Sequence, residues 1–158
     1  MSQTSLERGP VIEMNDSCYP QLKKSKDVNG AKSILIVEDD AGIRETLGEI
    51  LQEETIHQVF FAEDGETALN MLQTTTPKLF LLDYKLPGMT GLELVDRLRR
   101  ICEYEQTPMV LMSASLFGKD ISKYHLRYIQ KPFDLDQLLQ LVEETLSKQE
   151  TEFGSLHD

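Results

Sequence analysis

Apolar residues fall along this chain in short unbroken blocks that alternate with helically spaced ones. The block Ile34-Leu35-Ile36-Val37 is followed by Ile43, Leu47, Ile50 and Leu51. Val59-Phe60-Phe61-Ala62 precedes Ala68, Leu69, Met71 and Leu72, and Leu79-Phe80-Leu81-Leu82 precedes Leu92, Leu94, Val95 and Leu98. Met109-Val110-Leu111-Met112 comes next, then a less regular stretch, a short Tyr128-Ile129 block, and Leu135, Leu138, Leu139, Val142 and Leu146. Blocks of four fit strands, and spacings of three and four fit amphipathic helices. Strands that are apolar throughout are buried on both faces, which requires a parallel sheet covered by helices. The pattern therefore predicts an α/β domain with a doubly wound five-stranded parallel sheet over residues 32–148. Ligands of such sheets sit at the carboxyl ends of the strands, at the switch point of the strand order.

Residues 1–31 mix Ser, Asn, Pro and Lys without sustained periodicity and read as a flexible N-terminal tail, and 149–158 read as a C-terminal tail. Of the 158 residues, 16 are Lys or Arg and 27 are Asp or Glu, a formal charge of −11. That deficit of cations argues against direct nucleic-acid contact, which draws its affinity from Lys and Arg. The apolar blocks are far shorter than the roughly 18 residues of a membrane span. With no apolar leader at the start, a cytoplasmic location is the expectation. Cys18 and Cys102 make no disulfide framework, so Cys102 is expected as a thiol. His57, His125 and His157 lack metal-ligand spacing and are expected to be exposed or locally bonded.

Chemistry gathers at the predicted strand ends. The first strand runs into Glu38-Asp39-Asp40, the third into Asp83, the fourth into Ser113 and the fifth into Lys131-Pro132. Acids brought together there repel one another by on the order of a few kcal/mol per pair unless a cation intervenes. Oxygen ligands with room for water suit Mg²⁺. Lys131 and the Ser113 hydroxyl then offer a charge and a donor for phosphoryl oxygens. The plainer alternatives are helix capping by Asp39 and Asp40, turn chemistry around Asp83-Pro87-Gly88, and an ordinary surface role for Lys131.

Val37-Glu38-Asp39-Asp40, Leu82-Asp83-Tyr84-Lys85-Leu86-Pro87-Gly88-Met89-Thr90-Gly91, Met112-Ser113-Ala114 and Lys131-Pro132-Phe133, in that order, resemble the response-regulator receiver domain of two-component signalling. The resemblance implies the flavodoxin-like receiver fold with strand order 2-1-3-4-5. It makes Asp83 the phosphoacceptor, Asp40 a direct Mg²⁺ ligand, Asp39 a ligand through water, and the backbone carbonyl of Lys85 a further ligand. It assigns Lys131 to a phosphoryl oxygen, and Ser113 and Tyr128 to a switch pair. A cis Lys131–Pro132 bond is expected with it. Only 18 positions separate Ser113 from Lys131, so the helix between them is expected to be short.

The implied protein is a single-domain response regulator that catalyses only its own phosphorylation and dephosphorylation. Its donor would be a histidine kinase or histidine phosphotransfer protein, and its output a protein–protein contact. A phosphorelay intermediate and a phosphorylation-independent scaffold are the alternatives within the family. A Mg²⁺-dependent phosphohydrolase would need a cap domain and a second acid just after Asp83, where Tyr84-Lys85 stands.

Overall fold

The computed structural model describes residues 30–115, 124 and 126–157, with residues 149–157 described by their backbone alone. Strands β1 (Ser33–Val37), β2 (Gln58–Ala62), β3 (Leu79–Asp83), β6 (Met109–Ser113) and β7 (Arg127–Gln130) form one sheet. All its neighbouring pairs are parallel, in the order β2-β1-β3-β6-β7. This is the expected 2-1-3-4-5 order once a small ribbon is set apart: β4 (Lys85–Leu86) pairs antiparallel with β5 (Met89–Thr90). Two-residue strands carry no periodicity, so the ribbon was invisible in the hydrophobic pattern. Its turn was not, because Pro87-Gly88 is turn chemistry and Gly88 adopts φ +81°, the left-handed region that favours glycine.

Alternate residues of the central strands feed two cores. Ile34, Ile36, Leu79 and Leu81 pack with Leu47 and Leu51 of α1 (Ala41–Glu54) and with Leu138, Val142 and Leu146 of α4 (Leu135–His157). Leu35, Val37, Phe80 and Leu82 pack with Ala68 of α2 (Gly65–Met71) and with Leu94, Val95 and Leu98 of α3 (Gly91–Arg99). Period-2 alternation thus places α1 and α4 on one face and α2 and α3 on the other. Residues 34–37 and 79–82 have no solvent exposure. Truncating one such leucine or isoleucine to alanine costs about 2–5 kcal/mol, so the sheet is a rigid base for whatever its strand ends carry.

Helix starts follow local rules. Asp40 caps α1 through Ile43 N–H, Asp64 caps α2 through Thr67 N–H, and Thr90 with Glu93 forms a capping box on α3. Asp134 accepts from Gln137 N–H at 2.7 Å and opens α4 in the same way. That helix continues to His157 instead of ending near Lys148 as the sequence suggests.

Cys102, in a 3₁₀ turn after α3, is disulfide-bonded, which corrects the expectation of a thiol. The helix expected between Ser113 and Lys131 falls mostly on residues 116–123 and 125, outside those described, as do the side chains of His125 and His157. Among the described residues, no helix is long and apolar enough to cross a membrane.

Candidate functional site

β1 and β3 lie side by side, and their carboxyl ends bring Glu38 and Asp83 to one rim. Both are buried, at 1% and 6% exposure. Lys131, just past β7, reaches between them: its Nζ donates to Asp83 Oδ1 at 2.9 Å and to Glu38 Oε1 at 3.0 Å. Among the described residues, Glu38, Asp39 and Asp83 each offer a carboxylate oxygen within 4.8 Å of the others.

One ammonium among three carboxylates leaves an excess of negative charge at a site with two buried acids. Burial pushes the Glu38 carboxyl above its ordinary value, with the Lys131 hydrogen bond opposing and the Asp83 charge adding to the rise. Burial alone would lower the Lys131 ammonium, but its hydrogen bonds to Asp83 and Glu38 prevail and raise it. Three oxygen donors with a surplus of negative charge, one of them exposed, fit a hard divalent cation that keeps part of its water.

Asp40 is not in this cluster. Its carboxylate accepts from Ile43 N–H at 3.0 Å and its carbonyl from Arg44 N–H at 2.9 Å. The place that the sequence reading gave to Asp40 in the acidic group is taken by Glu38. A helix beginning at Ala41 makes the preceding residue its N-cap, and that signal was available in the sequence. The Glu38 carboxylate is held in turn, since its Oε2 accepts from Asp40 N–H at 3.2 Å. Sequence reasoning also missed Arg44, whose Nη1 donates to the Glu38 carbonyl at 2.8 Å.

The loop after Asp83 lies close against it. Gly91 N–H donates to the Tyr84 carbonyl at 2.7 Å, and a Cβ on Gly91 would stand 2.5 Å from the Asp83 carbonyl oxygen and 2.9 Å from Leu111 Cδ1. Only glycine permits that approach. Lys85 opens the ribbon and, with Asp39, Met89, Thr90 and Glu93, lines a cleft of about 510 Å³ beside the acids.

Ser113 ends β6, next to Asp83 in the sheet. Its hydroxyl donates to the Ser115 carbonyl at 2.8 Å and accepts from Ser115 N–H at 3.2 Å. Its carbonyl accepts from Lys131 N–H at 2.8 Å and from the Tyr128 hydroxyl at 3.4 Å, so Ser113 and Tyr128 are directly connected. The Lys131–Pro132 bond is cis, as expected. His57, expected to be exposed or locally bonded, is instead buried and bonded at a distance in the chain, with Nδ1 accepting from Lys32 N–H at 3.1 Å and Nε2 3.6 Å from a Glu143 carboxylate oxygen.

The family model for the response regulator receiver domain matches residues 34–143. Sporulation initiation phosphotransferase F of Bacillus subtilis is 34% identical over 119 residues, which cover 73% of this chain and 94% of that protein. The phosphate regulon transcriptional regulatory protein PhoB of Escherichia coli is 34% identical over 113 residues, 69% of this chain but 49% of PhoB. Among solved structures, the chemotaxis response regulator CheY4 of Vibrio cholerae superposes with a TM-score of 0.68 at 27% identity, covering 73% of this chain and 98% of CheY4. Response regulator TrrA of Thermotoga maritima, in complex with Mg²⁺-BeF, gives 0.64 at 34% identity, covering 72% and 98%. The chain belongs to the response regulator receiver domain family.

Proposed function

We propose that Asp83 is the phosphoacceptor of this receiver domain and that Glu38, Asp39 and Asp83 hold the Mg²⁺ that its phosphorylation requires. The Asp83 carboxylate oxygen attacks the phosphorus of a phosphohistidine; an O–P bond forms, the N–P bond breaks, and the imidazole leaves with its electron pair. Lys131, already on Asp83, moves its charge onto a phosphoryl oxygen as the acyl phosphate forms. The bound cation supplies the remaining neutralisation of phosphoryl charge. The backbone carbonyl of Lys85 remains the best candidate for a further ligand. Ser113 exchanges its bond to Ser115 for one to the phosphoryl group, and Tyr128 follows through its bond to the Ser113 carbonyl.

The observation that carries this reading is the Lys131 ammonium on Asp83, set among three carboxylates at the switch point of the sheet. Receiver domains interact with histidine kinases or phosphotransfer proteins, and we take a cytoplasmic member of one of those classes as the donor. The output is a protein contact, in keeping with the net charge of −11. A second reading is a phosphorelay intermediate, favoured by the likeness to a sporulation phosphotransferase across 94% of that protein's length. Incubation with a phosphorylated histidine phosphotransfer protein tests both. Mg²⁺-dependent appearance of label on this chain, lost in Asp83→Asn, supports the acceptor role. Rapid return of that label to an unlabelled phosphotransfer protein identifies a relay. A chain that takes no label yet binds its partner is a scaffold.

A further inference from the structure

The guanidinium of Arg44 is the part of this site that neither the motif nor the carboxylate cluster accounts for. Arg44 stands in the second turn of α1, half-buried, and reaches six positions back to the Glu38 carbonyl. Glu38 is the first residue beyond β1, and its N–H still pairs with the Ala62 carbonyl at 3.0 Å. In an extended chain the carbonyl of a residue points to the same side as its N–H. There β2 has ended at Ala62, and Asp64 already caps α2. The sheet therefore runs out of donors where the acidic loop begins, and Arg44 supplies one.

That hydrogen bond fixes the peptide plane between Glu38 and Asp39, the two acids that meet Asp83 from β1. Among the described residues, the loop's other side-chain hydrogen bonds engage different atoms: Asp40 is tied to α1, and the Glu38 carboxylate is tied to Asp40 N–H and to Lys131, whereas Arg44 holds the Glu38 carbonyl. We propose that Arg44 is a positioning residue for the divalent-cation site, setting cation affinity by holding the Glu38–Asp39 peptide without touching cation or phosphoryl group. The inference rests on the Mg²⁺ reading of the acidic cluster. Groups that orient metal ligands typically contribute about 10–100-fold to metal affinity.

Coulomb's law predicts the opposite sign, which makes the idea testable. Removing a cation near a Mg²⁺ site relieves repulsion and should tighten binding. If Arg44 orients the acids, its removal weakens binding instead. The experiment is calorimetric titration of Mg²⁺ into the full chain, with melting temperatures recorded without Mg²⁺. Arg44→Met is expected to raise the dissociation constant about tenfold, and Arg44→Lys, with the same charge but a single compact donor, less. Val142→Ala, a core truncation on α4, should lower the melting temperature and leave the dissociation constant of the folded protein unchanged. Equal or tighter binding by Arg44→Met overturns the proposal. If that variant does not fold, Arg44→Lys decides, and wild-type affinity there overturns it. Absence of Mg²⁺ binding by the wild type, or retention of it by Asp39→Asn, would defeat the reading of the cluster itself and is seen separately.

Discussion

Lys131 Nζ lies 2.9 Å from Asp83 Oδ1, although 48 positions separate the two residues in the chain. The pairing follows from the sheet: Ser113 stands opposite Gln130 in the β6–β7 register, and Asp83 opposite Met112 in the β3–β6 register. Lys131 therefore emerges two strands from Asp83 on the same rim. Its side chain is 21% exposed while those of Glu38 and Asp83 are 1% and 9% exposed, so the charge partners are mostly out of water.

Lys131→Met should therefore destabilise the protein without Mg²⁺. Two buried carboxylates lose their counter-charge, at a cost of about 2–3 kcal/mol after allowance for the partial exposure of the lysine. Urea unfolding measures it, and millimolar Mg²⁺ should restore part of the loss.

Glu38 gives the pH dependence. Burial holds its folded pKa above the ordinary value of 4.5. A raised carboxyl favours the folded state while protonated, and that contribution is lost as pH rises through the folded pKa. Without Mg²⁺, stability should fall with pH just above the ordinary glutamate range. Glu38→Gln should flatten that fall and melt higher than wild type at neutral pH, whereas saturating Mg²⁺ should reverse the order of the two melting temperatures.

Asp39 and Asp40 should separate cleanly. Asp40→Ala removes the α1 cap and costs about 1 kcal/mol of stability while Mg²⁺ affinity stays within about twofold, a change of under roughly 0.5 kcal/mol. Asp39→Asn should do the reverse, abolishing Mg²⁺ binding at little cost in stability. Calorimetric titration and thermal melts of both variants check this; loss of Mg²⁺ binding in Asp40→Ala alone would restore the assignment suggested by the motif.

Gly91→Ala should push the Asp83 backbone. With Leu111 and the Asp83 carbonyl both in the way, the added methyl costs about 1–3 kcal/mol. Phosphorylation by acetyl phosphate should slow more than thermal stability alone would explain, as a time course at a temperature where the variant is fully folded would show.

Much of this was legible in the chain because the buried strands are apolar throughout and the site residues stand at their ends. What escaped has local causes. Three consecutive acids differ only in where α1 begins, and that boundary moved the third acidic group from Asp40 to Glu38. The extension of α4 past Lys148 escaped because the regular apolar spacing ends at Leu146, although the lack of any glycine or proline between Asp134 and Gly154 left nothing in the chain to stop the helix. Arg44 is helical in spacing and charge, and only the fold shows that a strand end lacks a donor beside it.

Mg²⁺-dependent phosphorylation of Asp83 is the property on which every other role proposed for this site depends. Intact-mass spectrometry of the full chain after incubation with acetyl phosphate, with and without Mg²⁺ and beside Asp83→Asn, tests it most directly. A single phosphoryl adduct that requires Mg²⁺ and is missing from the variant is the predicted result. An adduct that persists in Asp83→Asn, or none in folded wild type quenched fast enough to trap an acyl phosphate, would contradict it.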